Sequence, residues 1–175
     1  MSKVLVCYFS RAGENYSVGV VPTGNTEEFA NNIVAKLKED GHEVDVFKIL
    51  PTVAYPEGYD DCVAKATEER SMQERPEYEG DVDVSAYDTI FFGYPIWWGD
   101  MPMIVYNFLE KHSFEGKKLY PFCTHEGSGE NGTFMTVGNL AVGAFREEGL
   151  AMEGKLARQE GGKKQVDYWV GQAAI

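Results

Sequence analysis

Little in the sequence would cross-link the chain, hold a metal or anchor it. Cys7, Cys62 and Cys123 are its three cysteines. They form no CxxC pair and are odd in number, which fits reduced thiols in a cytoplasmic protein better than a disulfide framework. Cys7 and Cys123 lie inside apolar runs and read as small buried hydrophobes. His42, His112 and His125 stand apart, with no HExxH, so no metal site is expected. No GxxxxGK[ST] occurs, which argues against a nucleoside triphosphate P-loop. The apolar run near the amino terminus, Val4 to Phe9, is too short for a signal peptide or a spanning helix, again an expectation of a cytoplasmic protein. Basic residues are scarce. Sixteen Lys+Arg against 28 Asp+Glu leave a net charge of -12, which argues against binding phosphate backbones or anionic membranes and makes a basic partner the easier one to accommodate.

What is present suffices for a core. With 43% hydrophobic residues over 175 positions, the chain is expected to fold as a single domain, 1–175, without disulfides. Val4 to Phe9 reads as a buried strand that breaks into Ser10-Arg11-Ala12-Gly13. Phe29, Ala30, Ile33, Val34 and Leu37 then mark one face of a helix, with Asn25 as its expected N-cap, Glu28 three residues on and Gly41 at its end. Val44 to Ile49 is the second expected strand, completing a βαβ unit. A polar helix over Tyr59 to Gln73, a buried strand over Thr89 to Tyr94 and a helix after Pro102 follow. Beyond them a strand is expected over Leu119 to Thr124, an apolar helix over Thr133 to Arg146, a fifth strand over Leu150 to Leu156 and a closing helix over Lys164 to Ala173. Five strands alternating with helices predict an α/β fold with one open, mostly parallel sheet covered on both faces.

In such a sheet the ligand crevice lies where the strand order reverses, beyond the carboxyl ends of the strands, and three loops there are unusual. The first carries Ser10 and Arg11 and resumes at Thr23-Gly24-Asn25-Thr26, the start of a helix. Hydroxyls and free backbone N–H groups at a helix amino terminus make either an anion site or an ordinary cap. The second loop is Pro95-Ile96-Trp97-Trp98-Gly99-Asp100. Adjacent tryptophans diverge in an extended loop, so one is expected to stay available to a flat partner unless both pack on the neighbouring helix. The third loop, Thr124-His125-Glu126-Gly127-Ser128-Gly129, contains a formal GxGxxG with Gly132. It follows the fourth strand rather than the first, so its glycines are read as close backbone approach to a ligand and only secondarily as a dinucleotide fingerprint. For His125, loop hydrogen bonding is the expected role rather than metal ligation.

Taken together, VLVCYFSR (4–11) leading to TGNTEEFA (23–30), FFGYPIWWGDMP (91–102) and PFCTHEGSG (121–129) resemble the flavodoxin-like flavoproteins over nearly the whole chain. The resemblance implies a flavodoxin-like three-layer sandwich, with a five-stranded parallel sheet in the order 2-1-3-4-5. It also implies FMN held by the three loops, the order and the placement being those of flavodoxin itself. Ser10, Arg11, Thr23, Gly24, Asn25 and Thr26 would take the phosphate. Pro95, Ile96, Trp97, Trp98 and Gly99 would cover the isoalloxazine. Thr124, His125, Glu126, Gly127, Ser128 and Gly129 would line the pyrimidine edge. Trp98-Gly99-Asp100 resembles the turn whose peptide flips to accept from the flavin N5–H of the half-reduced ring, and Asp100 would be the carboxylate nearest the ring. The chain departs from the short flavodoxin phosphate loop by an insertion over 12–22, so that Asn15 or Tyr16 is a further candidate phosphate ligand. Three functions are compatible with these residues. They are an FMN electron carrier docking on a basic redox partner or passing electrons to a small-molecule acceptor, an NAD(P)H-dependent FMN or quinone reductase, and a flavin-free binding module.

Overall fold

The computed structural model describes residues 2–175. Its strands are β1 (Lys3–Tyr8), β2 (Gly13–Asn15), β3 (Gly19–Val21), β4 (Glu43–Lys48), β5 (Thr89–Pro95), β6 (Lys118–His125), β7 (Phe145–Arg146) and β8 (Leu150–Glu153). Its helices are α1 (Asn25–Glu39), α2 (Tyr59–Ser71), α3 (Met103–Lys111), α4 (Thr133–Leu140) and α5 (Glu160–Gln172). The main sheet runs β4-β1-β5-β6, with β7 and β8 both along the outer edge of β6, and every pairing in it is parallel. Counting β7 and β8 as one position, this is the order 2-1-3-4-5.

Side chains alternate across the pleat and give the sheet two cores. Leu5, Cys7, Ile90, Phe92, Tyr94, Leu119 and Cys123 point to one face, where Ile104, Val105 and Phe108 of α3 and Val137 of α4 cover them. Val4, Val6, Tyr8, Phe91, Tyr120 and Phe122 point to the other, under Phe29, Ile33 and Leu37 of α1 and Val166 and Val170 of α5. Two apolar faces explain why Thr89 to Tyr94 is buried throughout and why it shows no alternation in sequence. All three cysteines are buried and free. No helix among the described residues is long and apolar enough to cross a membrane.

Four expectations are corrected. The fifth strand does not run from Leu150 to Leu156: β7 pairs with Lys118 and Leu119, β8 with Phe122 to His125, and residues 156–158 form a 3-10 turn. Between the two pieces, three residues (147–149) face only two on β6 (Tyr120 and Pro121), so the strand bulges, opposite a proline that has no N–H to donate. The helix expected over Thr133 to Arg146 ends at Leu140, because the chain turns through Gly143 at φ +82° and gives Phe145 and Arg146 to the sheet edge. The closing helix starts at Glu160, four residues earlier than the apolar periodicity indicated. The N-cap of α1 is Gly24, and Asn25 is already helical.

Candidate functional site

The cleft lies above the carboxyl ends of β1, β5 and β6, where the connection from β1 leaves toward β4 on one side and that from β5 toward β6 on the other. It has a volume of about 230 Å³. Of the residues expected there, Ser10, Arg11, Asn25, Thr26, Pro95, Ile96, Trp97, Trp98, Thr124, His125 and Glu126 line it. Thr23, Gly24, Gly99, Asp100, Gly127, Ser128 and Gly129 stand in the same loops but outside the lining.

On the first loop, Ser10 Oγ accepts the Glu27 N–H at 3.1 Å, capping α1, while the N–H groups of Asn25 and Thr26 find no acceptor among the described residues. Gly24 is required by packing: a Cβ there would overlap Ser10 Oγ and the Arg11 carbonyl. Thr26 is almost fully buried and its hydroxyl meets that of Thr124 at 2.7 Å, tying the first loop to the third. Arg11 lines the cleft, and its guanidinium is also bound to main-chain carbonyls. Its guanidinium donates to the carbonyls of Glu14 (2.5 Å), Pro56 (2.8 Å) and Glu57 (2.6 Å), so its N–H groups staple the inserted segment to the loop before α2. That insertion is a hairpin, β2 paired with β3. It brings Asn15 and Tyr16 to the cleft, with the Tyr16 ring 5.9 Å from that of Tyr59.

The second loop closes on itself. Trp97 N–H donates to the Asp100 carbonyl at 2.8 Å and Asp100 N–H to the Trp97 carbonyl at 3.0 Å, with φ +55° at Trp98 and +67° at Gly99. This is a two-residue turn of the primed type, with left-handed backbone at both central positions; glycine adopts that conformation freely and tryptophan at a cost. The two tryptophans diverge. Trp97 packs edge-on against Phe9 (5.4 Å) and Tyr55 (5.1 Å), whereas Trp98 is 54% exposed at the cleft mouth. The Gly99 carbonyl accepts from Asn131 Nδ2 at 2.6 Å, a link to the third loop that the residue types alone did not show. Asp100 is bound to its surroundings, accepting from Met101 N–H at 2.7 Å and Tyr106 O–H at 2.8 Å.

In the third loop His125 Nδ1 lies 3.0 Å from the Gly127 N–H and accepts from it, which places the neutral ring's proton on Nε2. Burial pushes the His125 pKa down, with Glu153 opposing, and burial together with Glu153 pushes that of Glu126 up. The chain itself places no atom within 4 Å of a Cβ built at Gly127, Gly129 or Gly132; their φ values of +114°, +71° and +79° account for the glycines. Close approach by the chain is not their reason.

The sequence pattern missed α2 as a wall: Tyr59, Cys62, Val63 and Ala66 line the cleft. The helix is polar and weakly patterned, and what faces the cleft is decided by where the Arg11 staple and the Glu14 carboxylate on the Tyr59 N–H (2.8 Å) hold its amino end. Burial raises the Cys62 pKa, with Arg11 opposing.

A parallel sheet with its cleft at the reversal of strand order, walled by an open helix amino terminus, an aromatic turn and a glycine-rich loop, defines the class of doubly wound α/β ligand-binding proteins. The family model described as flavodoxin matches residues 3–173, and the chain belongs to that family. Among solved structures, a Bacteroides eggerthii protein assigned as a flavoprotein is 26% identical, with a TM-score of 0.75 over 100% of this chain and 99% of that one. A Lactobacillus acidophilus flavoprotein in complex with FMN is 18% identical (TM-score 0.62; 90% and 97% covered). Oxidised flavodoxin 2 of Bacillus cereus is 22% identical (TM-score 0.60; 97% and 95% covered). No curated protein matches the chain.

Proposed function

We propose that the protein binds FMN in this cleft and acts in electron transfer, docking on a redox partner with a basic surface or passing electrons to a small-molecule acceptor. One observation carries the reading: the loops after β1, β5 and β6 converge on one cleft whose chemistry suits the three parts of FMN. Unpaired amides at the start of α1, with the Ser10 and Thr26 hydroxyls beside them, suit the phosphate. The exposed Trp98 face suits the flavin ring. His125 Nε2–H and the glycine-rich backbone suit the polar edge of the ring system. Bound FMN supplies reversible one- and two-electron chemistry at its ring.

The chain's residues hold and shield it. The Thr26–Thr124 contact sets the spacing of the phosphate and pyrimidine loops, and the Asn131–Gly99 bond sets the turn that carries Trp98. Trp97, Phe9 and Tyr55 form a rigid aromatic support beneath that turn. No side chain is assigned as acid or base. A second reading, an NAD(P)H-dependent reductase of FMN or quinones, draws on the cleft's continuation along Val63 and Ala66 of α2, which would give a second flat ligand an apolar wall.

The test is the absorption spectrum of the purified protein and of apoprotein titrated with FMN. A yellow preparation or saturable FMN uptake is expected; colourless protein that takes up no FMN would exclude both flavin readings. Steady-state NADPH oxidation with a quinone acceptor then divides carrier from reductase. Robust turnover without an added reductase would defeat the carrier.

A further inference from the structure

Arg158 lies far from the three loops in sequence and reaches the first of them from behind. Its Nη1 donates to the Thr23 carbonyl at 2.8 Å and to Asn25 Oδ1 at 3.1 Å, and Nη2 lies 3.5 Å from Glu28. Its side chain is 23% exposed, so these bonds compete little with water. The consequence is directional. A guanidinium only donates, so the Asn25 amide must turn its oxygen to Arg158 and its NH₂ away. Asn25 is 8% exposed, lines the cleft, and its Nδ2 donates to no group among the described residues. The side to which Nδ2 turns is that of Gly154 and Glu126. A Cβ at Gly154 would overlap Nδ2 and lie 2.7 Å from Glu126 Oε1. An amide held with its NH₂ in the cleft and no acceptor bound, at the start of a helix whose first N–H groups are also unpaired, offers a donor to an anionic oxygen there, with the Glu126 carboxylate as the competing acceptor.

We propose that Arg158 is a positioning residue that makes the cleft select a phosphorylated flavin over the same flavin without its phosphate. It acts through Asn25 and Thr23. The inference rests on the FMN reading above. Without the guanidinium, the Asn25 amide is free to turn its oxygen toward the cleft, replacing a donor by an acceptor where the phosphate is to lie, and the Thr23 carbonyl loses its partner. The isoalloxazine contacts, made by other loops, stay in place.

Apoprotein is titrated with FMN and with riboflavin, following flavin fluorescence, for wild type, Arg158→Gln, Arg158→Lys and Asn25→Ala. Thermal unfolding without flavin reports on folding. Wild type is expected to prefer FMN by about tenfold or more. Arg158→Gln is expected to lose most of that preference by weakening FMN roughly tenfold while riboflavin changes less than about twofold. Arg158→Lys, which keeps one cationic donor, retains more FMN affinity than Gln. Asn25→Ala, which leaves Arg158 on Thr23, lowers the preference in the same direction and carries the test if the arginine variants do not fold. An unchanged preference in these variants, or equal weakening of both flavins, overturns the inference. Wild type that binds both flavins equally overturns it alone; wild type that binds neither overturns the FMN reading as well.

Discussion

At the scale of single residues, Trp97 and Trp98 show how neighbours in sequence take separate tasks. Both are large and aromatic, and composition treats them alike. Backbone direction separates them: Trp97 turns inward onto Phe9 and Tyr55, while Trp98, at φ +55°, is carried out to the mouth of the cleft. A bulky residue held in left-handed backbone costs on the order of 1–2 kcal/mol. That cost is understandable where the ring serves a ligand. Trp98→Ala is therefore expected to weaken FMN binding by about 1–3 kcal/mol with stability changed by less than about 0.5 kcal/mol. Trp97→Ala is expected to destabilise the fold by roughly 2–4 kcal/mol through the cavity it leaves. FMN titration and urea unfolding of the two variants measure both quantities, and a Trp98 variant with unaltered FMN affinity would remove the ring from the site. The existence of the aromatic pair was legible in the sequence. Which ring stands exposed at the cleft mouth was not, because that depends on two turn dihedrals.

At the scale of elements, the inserted segment 12–22 is where local reading ended. It has no apolar period long enough to mark a strand, and its two three-residue strands form only because their ends are held. Arg11 supplies the hold, through carbonyls of Glu14, Pro56 and Glu57, and the Glu14 N–H adds a bond to the Glu57 carbonyl at 2.9 Å. Arg11→Ala is expected to destabilise the protein by about 1–3 kcal/mol and to raise amide hydrogen exchange selectively over 13–21 and 57–59. A uniform rise in exchange, or none, would show that the hairpin stands without the staple. The resemblance placed Arg11 at the phosphate; the structure gives its guanidinium to main-chain carbonyls, a use no motif spacing encodes. The bulge between β7 and β8 was hidden for a related reason, since a two-residue strand at a sheet edge exists only through its partner.

At the scale of the whole molecule, the charge of -12 acts with the fold. Lys48 is paired with Glu27, and Arg158 with Glu28, near the start of α1. Arg11 is spent on carbonyls. Glu14, Glu57, Asp60 and Asp61, by contrast, gather where the hairpin meets the start of α2. An electron-transfer partner with a basic docking surface would therefore be steered toward the cleft by a field that salt screens within about 10 Å at 0.1 M. The second-order rate of electron exchange with such a partner is expected to fall by about tenfold or more between roughly 10 mM and 0.3 M salt. Stopped-flow measurement across that range tests this, and a flat profile would rule out electrostatic docking.

The sequence by itself determined the class of fold and the three loops to inspect, because apolar runs without alternation require a sheet covered on both faces and right-handed crossovers then bring the following loops to one edge. Only the tertiary structure decided which side chains line the cleft. The α2 wall, the Asn131 link to Gly99 and the Arg158 support behind Asn25 each join residues more than thirty positions apart. Hydrogen bonds of that kind depend on distance and direction in the folded chain, and no local period or short motif records them.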